Sequence, residues 1–234
     1  MRYWFEWNGT DCRTKGIRLQ EMPQIVRPEE RVTHVTIPGR SGELTVTEDA
    51  DVYESYIQTI PVIVDSKAHV KDAEDWLRGS GSVTFSCEPT RKQNARVINA
   101  VTFKKHSRNS SWWEAEVQFY CSPMKEAVET ESAIEVTESG TTVTNPGDVT
   151  SRPLITITGS GNITIRAGGR QINLTGVESG WQVDSDLEWV LDGQGNPKTG
   201  VYTGEFPRLN KGAKIIQFTG SVTKLTITPR WRYI

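Results

Sequence analysis

From residue 153 onward, apolar and polar residues alternate in short runs, each stopped by a glycine-rich stretch. That rhythm leaves the second half of the chain little to fold into except antiparallel sheet, because side chains two residues apart on a strand share one face. Leu154, Ile155, Thr156 and Ile157 alternate, and residues 159–162 (Gly-Ser-Gly-Asn) read as a turn. Residues 163–165 alternate again, Gly168 and Gly169 turn, and residues 171–174 pair back. Residues 192–196 read as another hairpin loop, and residues 215–218 and 222–228 complete the set, with a turn at Gly220-Ser221-Val222. Turn signals every 8–12 residues or so mark a β-sandwich, and no helix is required here.

The first half is also strand-rich. Tyr3, Phe5 and Trp7 share one side of a strand, and Asn8-Gly9 is a hairpin signal. Between residues 31 and 37, Thr33, Val35 and Ile37 face one way and Val32, His34 and Thr36 the other. Pro38, Gly39, Arg40, Ser41 and Gly42 break that strand, and a strand resumes at Leu44. Residues 53–64 hold another. One helix is expected after the N-cap Ser66, where Ala68, Val70, Ala73, Trp76 and Leu77 recur at helical spacing and Gly79 supplies the left-handed residue past the end. Residues 83–85 read as a strand. Residues 94–103 and 112–120 read as a hairpin joined by a polar, basic loop.

Composition shifts after Glu126. Five glutamates, Glu126, Glu129, Glu131, Glu135 and Glu138, crowd a stretch poor in large apolar residues, and a Thr-, Gly-, Asn- and Pro-rich segment follows. A domain boundary near residue 130 is expected, dividing residues 1–132 from 133–234.

The chemistry signals are sparse. Formal charge is −2, which argues against a general nucleic-acid binder, and the basic stretch 91–108 reads as a solvated strand face or an interface. No apolar run approaches the roughly 20 residues of a membrane span, and the first residues carry no signal-peptide core, so synthesis in the producer's cytoplasm is expected. Cys12, Cys87 and Cys121 are scattered and odd in number, which gives neither a disulfide framework nor a zinc motif. His34, His69 and His106 fall in no catalytic pattern. Asp184, Asp186 and Glu188 alternate; a cation site or a glycosidase pair is one reading, but the wet face of a half-buried strand is preferred. Residues 192–203 fail as a calcium loop because Pro197 and Thr203 stand where Gly and Glu are needed. Eight tryptophans, among them Trp181, Trp189 and Trp231, are the best lead toward a ligand, since indole rings can serve as sugar platforms, yet most in a small β-domain are core or interface. No catalytic, metal or cofactor residue is assigned.

Several motifs, in order along nearly the whole chain, resemble a known family. Ile37-Pro38-Gly39-Arg40-Ser41-Gly42, Asp75-Trp76-Leu77-Arg78-Gly79 and Phe119-Tyr120-Cys121-Ser122-Pro123 are similar to its first-domain loop, helix end and strand exit. Ile157 to Thr164 is similar to a strand pair in its second domain. Gly204-Glu205-Phe206-Pro207-Arg208-Leu209-Asn210-Lys211-Gly212 and the ending Pro229-Arg230-Trp231-Arg232-Tyr233-Ile234 are the most specific matches. These resemble the distal tail proteins of phages with long, non-contractile tails.

The resemblance implies a mostly β fold: an N-terminal, split-barrel-like belt domain with one helix, and a C-terminal β-sandwich like galectins or carbohydrate-binding modules. It implies a structural, non-enzymatic role as a hexameric ring hub at the tail tip. Its partners would be copies of itself, the tail tube protein, the tail-associated tip protein and receptor-binding proteins, with DNA only passing through the channel. Pro38, Gly39, Arg40 and Gly42 are the candidate ring or tube interface. A free carbohydrate-binding module, recognising host cell-wall glycan, is the alternative.

Overall fold

The computed structural model describes residues 3–47, 51–129 and 131–234. Met1 and Arg2 of the leader reading, and Thr130 at the boundary drawn from composition, lie outside them. The chain divides into two compact units, one ending at Val128 and the other spanning Glu129–Tyr233.

The first unit contains β1 (Phe5–Trp7), β2 (Thr10–Asp11), β3 (Ile17–Leu19), β4 (Val32–Thr36), β5 (Glu43–Thr47), β6 (Tyr56–Val64), α1 (Lys67–Trp76), β7 (Ser80–Phe85), β8 (Arg91–Val97), β9 (Lys104–Lys105) and β10 (Trp113–Ala127). Its main sheet runs β2-β1-β7-β8-β10-β6-β3, with β9 added on β10. The two edge strands β2 and β3 are joined by one short 3-10 turn, Cys12–Lys15, so the sheet must curl until its edges lie within that turn's reach. Curling makes an inside, and alternate residues fill it. Gln58, Ile60, Val62 and Val64 of β6 point in, as do Val117, Phe119 and Cys121 of β10. Phe119 meets Phe5, Trp7 and Phe85 at centroid distances of 5.4, 5.4 and 5.8 Å. Burying side chains of this size contributes roughly 2–3 kcal/mol each.

Helix α1 forms as the sequence suggests. The Ser66 hydroxyl accepts from the His69 N–H, and Val70 and Ala73 face the core while Trp76 stacks on Phe5 at 5.7 Å. Its end differs from expectation. The helix closes at Trp76 with Leu77 as C-cap, so Gly79, left-handed at φ +78°, lies two residues past the cap and just before β7. The hairpin read over 94–103 and 112–120 holds in part: Ala95, Arg96 and Val97 of β8 pair with Cys121, Tyr120 and Phe119 of β10, but β8 stops at Val97 and the start of β10 pairs with β9. Asn99 is the reason: its side chain donates to Glu116 O (2.7 Å) and accepts from Gln118 N (2.9 Å), taking ladder positions that a strand backbone would have filled.

The second unit comprises β11 (Ile134–Val136), β12 (Thr141–Asn145), β13 (Leu154–Ala167), β14 (Arg170–Val177), β15 (Gln182–Asp184), β16 (Trp189–Leu191), β17 (Tyr202–Gly204) and β18 (Gly212–Thr228). The long strands β13 and β18 are shared by two half-sheets. The early part of β13 and the late part of β18 pair with each other and with β15 and β11. Their other ends pair with each other, with β14 and with β12. Ile155, Ile157, Ile163, Ile165, Ile172, Leu225 and Ile227 share the core between them.

Two sequence expectations fail here for one reason. Residues 159–162 and 220–222 are not turns but bends inside continuous strands. Gly159 and Gly220 sit where β13 and β18 cross closely: a Cβ on Gly220 would lie 2.3 Å from Asn162 O, and one on Gly159 would lie 2.4 Å from Ser221 O. Thr223 is an extra residue in the ladder between Lys224 and Val222, so the inward positions of β18 change from Ile216 and Phe218 to Leu225 and Ile227. A glycine-rich bend and a glycine-rich turn look alike in sequence.

Candidate assembly surface

Strands β4 and β5 form a two-stranded sheet of their own. Every residue from 31 to 46 is exposed. The register places Val35 opposite Leu44 and Thr33 opposite Val46. Thr33, Val35, Leu44 and Val46 therefore share one face, and His34, Thr36, Glu43 and Thr45 the other. The tip is the loop of the resemblance: Pro38, left-handed Gly39, Arg40, which donates its N–H to Ile37 O at 3.1 Å, and left-handed Gly42. At the base, Arg31 bonds Glu54 (2.7 Å) and the Arg31 N–H reaches Val52 O (2.9 Å), which ties the two legs together.

Such a hairpin is marginal alone in water, because three or more strands with a covered face are needed for independent stability. Its apolar face finds no cover among the described residues of its own chain. The hairpin is an exposed arm of the first unit.

The remaining sequence candidates do not converge. His34 sits on the polar face of the arm beside Thr45 (3.3 Å). His69 pairs with Asp65 and His106 with Glu114, each at 2.6 Å. Among the described residues no group of three His, Cys, Asp or Glu could hold a metal ion. Burial pushes the Cys12 thiol up to about 11 and the Cys121 thiol to about 12, so neither is a poised nucleophile.

The acidic trio requires correction. Asp184 ends β15, residues 185–188 form the β15–β16 turn, and Glu188 is left-handed at φ +56°. Asp184 is buried rather than on a wet face. Its carboxylate accepts from the N–H groups of Asp186 and Leu187 and from both terminal nitrogens of Arg230. Burial raises its carboxyl, but those donors outweigh it and hold the acid below its ordinary range. Arg232 meets Asp186 at 2.8 Å. The alternation of acids on one segment and of arginines on the other was the available signal: two ladders of equal spacing and opposite charge.

Sequence reasoning also missed Lys125, which lies buried at its inward position on β10, 2.6 Å from Glu88. Its parity with Phe119 and Cys121 pointed inward. Of the tryptophans, Trp7, Trp181 and Trp231 are core, whereas Trp112 and Trp189 are exposed.

No family model matches the chain, and no curated protein does. A solved structure does match over its whole length. The crystal structure of the SPP1 Dit protein (gp 19.1) superposes with a TM-score of 0.79, covering 99% of this chain and 99% of that one at 18% identity. The fold is that of Dit. The SPP1 protein is described as a paradigm of the hub of the adsorption apparatus in phages that infect Gram-positive bacteria. The Dit fold gives the motifs named above structural reasons. In the Gly204–Gly212 stretch, Phe206 and Leu209 are core, and Asn145 Nδ2 holds Leu209 O at 2.7 Å. The ending buries Trp231, whose N–H donates to Glu131, while Arg230 and Arg232 on either side hold the acids of the β15–β16 turn.

Proposed function

We propose that the chain is a structural subunit of a phage tail tip, a hub ring whose output is geometry rather than catalysis. The observation that carries this is the full-length Dit fold together with an arm whose apolar face has no cover among the described residues. Six copies close a ring at the distal end of a non-contractile tail. Residues 1–132 form the ring-building belt, and residues 133–234 form a galectin-like sandwich outside it.

Closure by head-to-tail contacts needs two different patches per subunit. The arm supplies one: the face of Val35, Leu44 and Val46 lies on the neighbouring copy, and Pro38, Gly39, Arg40 and Gly42 reach the ring or tube contact. The tail tube protein sits on one side of the ring, the tail-associated tip protein on the other, and receptor-binding proteins at its rim. DNA crosses the channel only in transit, and the net charge of −2 gives the subunit no overall basic excess to grip phosphates. The site of action is the virion, after assembly in the host cytoplasm.

Negative-stain imaging tests this. The full-length protein, alone or with tail tube protein, should show six-fold rings, and removing residues 38–42 should abolish them while the thermal unfolding transition stays in place. Intact rings after that deletion would refute the role of the tip.

A further inference from the structure

The second unit carries a groove of about 600 Å³ whose lining includes Glu188, Trp189, Val190, Pro197, Lys198 and Tyr202. That size falls within the range of small-molecule sites, roughly 300–1,000 Å³. Trp189 is 52% exposed in a unit that buries Trp181 and Trp231, so the sandwich leaves one indole in water at the wall of a cleft. Tyr202 shares the groove and is fixed from behind by Phe206, edge to face at 5.1 Å.

The frame around Trp189 is rigid on both sides. Trp189 stands opposite Asp184 in the β15–β16 ladder, and Asp184 is locked by Arg230 and by two N–H groups of the preceding turn. Beyond β16, Asp192 accepts from the N–H groups of Gln194 (3.0 Å) and Asn196 (2.9 Å). The Lys198 N–H then returns to Val190 O at 2.8 Å. Two aspartates thus clamp the loops that carry the groove, which lowers the ordering cost of binding.

The charges at the groove are opposite and each has a counter-ion at hand: Lys198 lies 3.3 Å from Asp192, and Glu188 4.0 Å from Arg208. The groove therefore attracts neither polyanions nor cations. Aromatic surface combined with compensated polar groups and the Thr199 hydroxyl suits a ligand that has an apolar face and a hydroxylated edge.

We infer that the Trp189–Tyr202 groove binds a neutral saccharide, one pyranose ring lying against the aromatic wall and its hydroxyls meeting Glu188, Lys198 and Thr199. Asp184 and Asp192 are positioning residues for it. This site is independent of ring formation and uses no residue of the arm.

The test is saturation-transfer NMR and calorimetry on the full chain with tetrasaccharides of β-linked glucose, galactose and N-acetylglucosamine. At least one should bind with a Kd of about 0.1–10 mM. Trp189→Ala should weaken it about tenfold or more, the loss of roughly one stacking contact. Trp112→Ala, at the exposed tryptophan of the other unit, should leave it unchanged. The Trp189 indole N–H resonance should shift on titration while that of Trp112 stays, a readout that needs no variant. No transfer from any of the three sugars at about 20 mM would overturn the proposal. So would preferential, salt-sensitive binding of an anionic polysaccharide, or a Trp189→Ala variant that keeps sugar binding but loses a protein partner of the tail.

Discussion

Arg230 grips both carboxylate oxygens of Asp184, at 2.8 and 2.9 Å, from a left-handed backbone position at φ +54°. A two-pronged pair around a buried acid fixes direction as well as charge, and here it ties the last residues of the second unit to the turn that carries Trp189. Replacing Asp184 with Asn removes the negative charge that Arg230 grips and loosens that turn. The expected loss is about 3 kcal/mol, read as a lower denaturation midpoint of the second unit at an unchanged slope.

The same pair sets an acid limit. Asp184 and Asp192 both have folded-state pKa values below the ordinary one, Asp192 at about 2, where the N–H of Asn196 is the main cause. An acid whose pKa is depressed by folding stabilises the fold above its unfolded value, near 3.9, and loses that contribution as pH falls toward the folded one. Urea midpoints measured from pH 6 to pH 2 should therefore fall steeply below about pH 4. In Asp184→Asn the fall should be shallower, because the variant has one fewer such group to lose.

Where β18 passes β13, a Cβ added to Gly220 would lie 2.3 Å from Asn162 O, and φ there is +102°. Gly220→Val should cost more than about 2 kcal/mol, through strain and backbone displacement together. Gly161→Ala, at a glycine with open space and φ +84°, carries the backbone penalty alone and should cost less. Thermal unfolding of the two variants separates the contributions.

Lys125 and Glu88 form a mostly buried pair at 2.6 Å. Removing one partner leaves a charge without its counter-ion, so Glu88→Gln should lose about 3 kcal/mol, whereas Glu88→Gln with Lys125→Met should recover part of it. If the double variant is less stable than either single one, the pair is not what the charge is buried for.

Much of this architecture was legible in the residues. Period-two alternation located the strands at Phe5, Tyr56 and Leu154, and Ser66 with Val70 and Ala73 located the helix. Illegible features depended on a partner far away in sequence. Gly159 reads as a turn until Val222 of β18 is known to face it. Asp184 reads as solvent-facing until Arg230, 46 residues on, is brought alongside it. The arm shows the opposite case: the split between Val35 and His34 faces was visible, but the cover for Val35 is absent from the chain's own described residues. Alternation predicts that a face is to be buried; it does not say by which molecule.

Charge on that face should discriminate assembly from folding. Val35 and Leu44 are 42% and 41% exposed, so Val35→Asp with Leu44→Asp should change the stability of the isolated subunit by about 0.5 kcal/mol or less. The same double variant should fail to form rings, as seen by sedimentation.

The solution mass of the unmodified protein, taken by light scattering at micromolar concentration both alone and mixed with tail tube protein, bears most directly on the ring. A closed ring of six 26.2 kDa chains has a mass of about 157 kDa, before any added partner. A particle that stays at 26.2 kDa under both conditions would contradict it.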